Sequence, residues 1–137
     1  MTPEEINAFL DLPLTGAIAT LRADGSPAVV PVWYRWTGTE IKVWTDSSVP
    51  WVNRLKDEPR VALTVFEHGI PSRAVYIRGT ATVIQAPMAD LESDIRPVTA
   101  RYVEPEKLDA TLVEYDGGRD KAVVTITPDH MRGVVNG

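Results

Sequence analysis

The strongest constraint on this chain lies between Leu14 and Thr45, where two β-favouring runs flank Ala23-Asp24-Gly25-Ser26. Asp-Gly suits the positive-φ positions of a two-residue hairpin loop, so the flanking runs pair antiparallel. The spacing predicts a strand over Leu14 to Arg22 and a second over Pro27 to Trp36. Thr37-Gly38-Thr39-Glu40 makes the next turn, and Ile41 to Thr45 alternates sides as a half-buried strand does. These three strands read as an antiparallel meander.

A short helix precedes them. Thr2 with Glu5 three positions on forms a capping box, and Pro3 suits the first helical position, which predicts a helix over Pro3 to Leu10. After the meander, Pro50 to Glu58 carries Trp51, Val52 and Leu55 at helical spacing and stops at Pro59. A strand follows over Arg60 to Glu67, then a break at His68-Gly69-Ile70-Pro71-Ser72. The longest strand candidate is Arg73 to Gln85, with Val75, Ile77, Ala81 and Val83 on one side and Tyr76, Arg78, Thr80 and Thr82 on the other. Gly79 in its middle signals a bulge or bend. Pro87 to Val103 and Pro105 to Tyr115 read as helices, the first divided or kinked by Pro97. Asp116-Gly117-Gly118-Arg119 turns into a last strand, Lys121 to Thr127. About six strands with short helices, and a helical insertion before the last strand, describe a mainly β, antiparallel Greek-key or split barrel. One domain spans residues 1–137.

Composition narrows the function. The chain has no cysteine, which removes disulfides, thiolate metal sites and cysteine nucleophiles together. Fourteen Lys and Arg against nineteen Asp and Glu give a net charge of -5, the wrong sign for a nucleic-acid partner. No signal peptide is evident and no apolar run nears the roughly 20 residues that span a bilayer, so neither export nor membrane insertion is expected and the cytoplasm is the predicted location.

Familiar catalytic signatures are missing: there is no dinucleotide-binding glycine motif, no phosphate loop, no HExxH and no nucleophile elbow. His68 and His130 are too few for a histidine metal site and read as surface residues. Asp90, Glu92 and Asp94 read as a solvated helix face. Trp33, Trp36, Trp44 and Trp51 cluster in sequence, which suits core or interface packing and equally a stacking wall for a planar ring. The segment Thr45-Asp46-Ser47-Ser48-Val49-Pro50-Trp51-Val52-Asn53-Arg54 runs from a strand end through hydroxyls into a helix N-terminus. Such a segment is either an anion cradle, with Thr45, Ser47, Ser48 and Arg54 adding donors, or an ordinary helix start capped by Ser47 or Ser48.

The order D-G-S-P hairpin, Pro31-Val32-Trp33 strand, V-W-T-D-S-S strand end, N-R-L helix and D-E-P-R-V-A-L (Asp57 to Leu63) resembles the pyridoxamine 5'-phosphate oxidase-like superfamily. It is most similar to its short flavin- and deazaflavin-dependent oxidoreductases. Arg73 to Ala81 and Arg101-Tyr102-Val103 continue the likeness over nearly the whole chain. The resemblance implies an FMN-binding-like split barrel acting as a homodimer, with coenzyme F-420 preferred and FMN the alternative at each interface site. It implies that Val30, Pro31, Val32 and Trp33 lie against the ring, and that Thr45, Ser47, Ser48 and Asn53, with Arg54, hold the phosphate. The partner's Tyr76 and Arg78 would then close the pocket. The implied activity is hydride transfer between the ring and a small conjugated organic substrate; the alternative is a non-catalytic carrier of flavin, deazaflavin or haem. Val49-Pro50 stands where the family commonly has a basic residue. Losing a charged hydrogen bond of about 1.5–3 kcal/mol weakens an anion roughly ten- to a hundredfold, unless Arg54, Lys56 or a partner arginine substitutes. The same departure argues against pyridoxamine phosphate oxidation itself, as does the lack of an evident substrate-binding extension beyond the last strand.

Overall fold

The computed structural model describes residues 1–136. Helix α1 (Pro3–Leu10) begins as its capping box requires: Glu5 N donates to Thr2 Oγ1 at 3.2 Å and Thr2 N donates to Glu5 Oε1 at 3.0 Å. Hydrogen bonds to the carboxyl from the Thr2 backbone N–H and the Thr2 side chain hold Glu5 below its usual range. The apolar stripe of α1, Ile6, Phe9 and Leu10, is buried in the main core.

Strands β1 (Gly16–Leu21) and β2 (Pro27–Val32) form the expected hairpin. Its turn is fixed by Gly25 at φ 85° and by Asp24, whose Oδ1 accepts from Ser26 N at 2.9 Å and from Ser26 Oγ at 2.6 Å. The expected second strand, Pro27 to Trp36, is two strands. After β2 the chain leaves the ladder at Trp33-Tyr34 and resumes as β3 (Arg35–Trp36), which pairs with β4 (Ile41–Asp46). Strand β4 therefore pairs with β3 and the last strand, not with β2, and the meander ends at the first hairpin. Inward alternation runs unbroken through Val32, Tyr34 and Trp36, all buried, so the side-chain period gave the facing correctly while the hydrogen-bond partner changed.

Helix α2 is shorter than expected, Pro50–Arg54, and leads to β5 (Arg60–Glu67). Strand β6 (Ser72–Ala86) pairs with β5 on one side and with the last strand, β7 (Lys121–Asn136), on the other. The register between β6 and β7 shifts at Arg78/Gly79, where Arg78 faces His130 and Gly79 faces Pro128. A Cβ on Gly79 would lie 2.2 Å from the Thr127 carbonyl oxygen, so only glycine fits this close approach. The expected end of β7 at Thr127 is wrong because Pro128 sits in this irregularity, where a missing N–H is tolerated, and pairing continues to Asn136.

Between β6 and β7 lie α3 (Met88–Thr99), a 3-10 turn (Pro105–Lys107) and α4 (Leu108–Asp116). Helix α3 is one continuous piece and ends at Thr99, four residues before the expected Val103. Pro97 lies in its last turn, where the ring costs little more than one backbone bond. The sheet order is β2-β1-β5-β6-β7-β4-β3, seven antiparallel strands. Its two end strands are joined through only Trp33 and Tyr34, a span of at most about 11 Å, so the sheet must curl until its ends meet. This is a mainly β split barrel. Ile18, Leu63, Ile77 and Ile126 fill its interior, while α3 and α4 form a second cluster with Trp44 and Val123 on its outer side.

Candidate functional site

The seam between β2 and β3 is closed by side chains. Tyr102, in the turn after α3, accepts from Tyr34 N at 3.2 Å and lies 2.7 Å from the Leu14 carbonyl, to which it donates. Arg101 beside it donates to the carbonyls of Asp11 and Leu12, and the Tyr34 hydroxyl donates to Leu12 O at 2.9 Å. Burial, reinforced by neighbouring Tyr102, pushes the Tyr34 phenol well above its ordinary value, so it stays a neutral donor. Trp33 stacks flat on Tyr102, with ring centroids 4.6 Å apart and planes 6° from parallel.

Next to this seam opens a cleft of about 590 Å³. Pro31, Val32 and Trp33 form one wall, and Trp44, Thr45 and Asp46 at the end of β4 form the other. Trp51 from α2 and Tyr115 from α4 add aromatic surface, and Glu114 and Arg119 add charge. Trp44 is fixed by its indole N–H, which donates to Thr99 Oγ1 at 3.0 Å, and Tyr115 leans on it at 5.9 Å. Strand β2 ends the sheet order, so backbone groups on its far edge have no ladder partner and Pro31 costs the sheet nothing there.

One end of the cleft is polar. Asp46 sits between two cations: Lys121 Nζ at 2.5 Å, fully buried, and Arg119 Nε at 3.1 Å. Desolvation pushes the Asp46 carboxyl up, but the hydrogen bonds from Lys121 and Arg119 outweigh it and hold the group below its ordinary range. It is a carboxylate near neutrality, able to accept hydrogen bonds and holding no proton to give.

Of the residues singled out in the sequence, Pro31, Val32, Trp33 and Thr45 come together on the cleft, whereas Val30 packs against the barrel core. Ser47 and Asn53 adjoin the cleft as a bracket rather than as its lining. Gln85 Nε2 donates to Ser47 Oγ at 2.7 Å and to Asn53 Oδ1 at 3.2 Å, and Asn53 Nδ2 donates to Ser47 O at 2.9 Å. Ser48 is exposed on the loop, and neither serine caps α2, whose N-cap is Val49 with no side-chain bond. Arg54 turns away from the cleft and donates to Thr20 Oγ1 at 3.3 Å. Tyr76 and Arg78 lie outside the cleft. Tyr76 stands in register with Thr64, Ala17 and Pro31 across β5, β1 and β2, three strand spacings or about 14 Å from Pro31.

Thr15, Trp44, Trp51, Asp46, Glu114, Tyr115 and Arg119 complete the lining. The tryptophan cluster pointed to two of these; Glu114, Tyr115 and Arg119 carry no sequence signal, because the topology alone brings them next to β4. His68 and His130 are exposed, and among the described residues no three metal-ligating side chains converge. Arg96 bridges Glu92 and Asp109, and Asp94 lies 3.9 Å from Lys42, as a solvated helix face would. Among the described residues no helix is long and apolar enough to cross a membrane.

The model of the pyridoxamine 5'-phosphate oxidase family matches residues 2–135, and the chain belongs to that family. Among solved structures it is similar to a conserved hypothetical protein from Mycobacterium tuberculosis, with 25% identity and a TM-score of 0.82, covering 98% of this chain and 85% of that one. It is also similar to an F-420 reductase, at 20% identity and a TM-score of 0.68 over 92% of this chain and 94% of that one. A FAD-binding protein from Mesorhizobium loti matches at 19% identity and a TM-score of 0.71 over 100% of this chain and 96% of that one. These last two likenesses concern the fold. No curated protein matches the chain significantly.

Proposed function

We propose that this protein is an oxidoreductase that holds a flavin-type cofactor in the Trp33–Trp44–Trp51 cleft, coenzyme F-420 by preference and FMN as the alternative, and serves hydride transfer with a small conjugated organic substrate. The cleft carries the reading: three indoles and Tyr115 border one space next to a strand edge with free backbone groups and a polar end built on Thr45, Asp46 and Arg119. Its volume falls in the range of about 300–1,000 Å³ that suits cofactors. Planar apolar walls for a ring, with a hydroxyl and a guanidinium at one end as donors to a phosphate and the Asp46 carboxylate to accept from hydroxyls of the tail, fit the group chemically.

A bound flavin or deazaflavin supplies the redox chemistry, which agrees with the lack of a catalytic dyad. The chain's own residues bind, orient and dry the site. Trp33 is backed by Tyr102, and Trp44 is tied to Thr99, so both walls are set before a ligand arrives. Ionised Asp46 takes hydrogen bonds from the ligand, and Thr45 contributes a hydroxyl next to it.

The same reading calls for a second copy of this chain. The outer face of β1, β2, β5 and β6 presents small Ala17, Ala19, Ala62 and Thr64 among exposed Val29, Phe66 and Tyr76, a surface suited to a flat two-fold contact. Tyr76 and Arg78 would reach the partner's cleft from there. Titration of the purified protein with FMN and with F-420, followed by tryptophan fluorescence, tests the cofactor: micromolar quenching by one of them supports the reading, and none by either refutes it. Tight binding without turnover on any electron acceptor would make the protein a carrier.

A further inference from the structure

Among the described residues that border the cleft, Arg119 is the one cation. The other candidates are committed elsewhere. Val49 and Pro50 carry no charge, Arg54 is bonded to Thr20, and Lys121 is fully buried with its ammonium on Asp46 and on the Asp116 carbonyl at 2.8 Å.

Arg119 is also held in place. Gly117 and Gly118, at φ 53° and 72°, turn the chain between α4 and β7 so that the arginine folds back over the turn. A Cβ on Gly117 would lie 2.2 Å from Arg119 Nη1, so the guanidinium occupies the space that the glycine leaves. Its Nε donates to Asp46 Oδ2 at 3.1 Å and its Nη2 approaches the Tyr115 carbonyl at 3.5 Å. Asp46 is itself fixed from below by Lys121. The three charges sum to one net positive, and the Nη1 donors stay available on a side chain that is 57% exposed.

We propose that Arg119 is the anion-binding residue of the cleft, taking the phosphate of a phosphorylated ring cofactor in place of the cation that Val49-Pro50 lacks, with Asp46 and Lys121 as its positioning residues. This rests on the cofactor reading above. A planar guanidinium with paired donors matches phosphate geometry, and its partial exposure leaves the donors not bonded to Asp46 open to a ligand. Glu114, on the same wall, opposes an anion and sets a limit on the affinity.

The test compares FMN with riboflavin, which differ only in the phosphate, and F-420 with its deazariboflavin core, which lacks the whole phosphorylated tail, each titrated into wild type, Arg119→Gln, Arg119→Lys and Glu114→Gln by tryptophan quenching. Wild type should prefer the phosphorylated member tenfold or more. Arg119→Gln should lose that preference while its affinity for the unphosphorylated member stays unchanged; Arg119→Lys should keep part of it, and Glu114→Gln should raise it a few-fold. A preference that survives in Arg119→Gln overturns this assignment and leaves the cofactor reading intact. An equal loss for both members of a pair also overturns it, because Arg119 would then shape the wall rather than bind the anion. A wild type that binds none of the four ligands refutes the cofactor reading and the assignment together.

Discussion

The two halves of the barrel's outer surface are treated in opposite ways. Over β4 and β7, helices α3 and α4 cover the sheet and bury their own Leu91, Ile95 and Leu112 against Trp44 and Val123. Over β1, β2, β5 and β6 the described chain offers no cover, and Val29, Phe66 and Tyr76 keep 66%, 50% and 46% of their surface exposed. The lesson lies in the residues chosen. The covered half of the sheet carries Trp44 and Val123, which need the roof of Ile, Leu and Met that the helices supply, whereas the bare half sets Ala17, Ala19, Ala62 and Thr64 between its exposed large side chains, small residues that tolerate water and still let a flat partner come close. The proposed cleft opens at the border between the two.

The comparison breaks most directly at Ile95, which is fully buried. Ile95→Ala should destabilise the fold by about 4 kcal/mol, read as a lower denaturant midpoint. Next comes Asp46→Ala, which strands the buried ammonium of Lys121 and should cost about 3 kcal/mol. The same pair predicts a pH dependence. The Asp46 carboxyl is held below its ordinary value of 3.8, so its contribution is complete above that pH and is lost as the pH falls through the lowered native value. Stability followed stepwise from neutral pH into acid should therefore drop more steeply for wild type than for Asp46→Ala.

Tyr102→Phe removes the hydroxyl that serves Tyr34 N and Leu14 O at the seam, and should cost about 2 kcal/mol, with weaker ring binding if Trp33 loses its backing. The smallest effect on stability belongs to the bare half. Ala62→Arg should change it by under about 0.5 kcal/mol yet convert the proposed dimer to single chains in sedimentation. Were Ala62→Arg to unfold the protein, the bare half would be a core after all.

Local chemistry made much of this architecture readable in advance. The Thr2/Glu5 capping box, the Asp24-Gly25 hairpin and the irregularity at Gly79 are each decided within a few residues, and each appears as expected. What escaped is set by distance. The break at Trp33-Tyr34 is hidden because inward alternation passes straight through it, and alternation reports facing, not partners. Pro128 reads as a strand end until Gly79, 49 positions earlier in the chain, is found opposite it. Part of the cleft, Pro31, Val32, Trp33 and Thr45, was visible in the sequence. Glu114, Tyr115 and Arg119 were not, since nothing in a helix end and a glycine turn says which strand they will meet. Arg54 shows the converse error: the right residue type in the right segment, turned by a short helix toward Thr20.

At position 79 the chain's usable alphabet shrinks to one letter. With a backbone oxygen of β7 where any Cβ would go, a library randomised there and selected for folded protein should return glycine almost alone, while a library at neighbouring Thr80, which points outward, should return most of the twenty. A single atom's absence thus carries more information about the fold than any of the tryptophans.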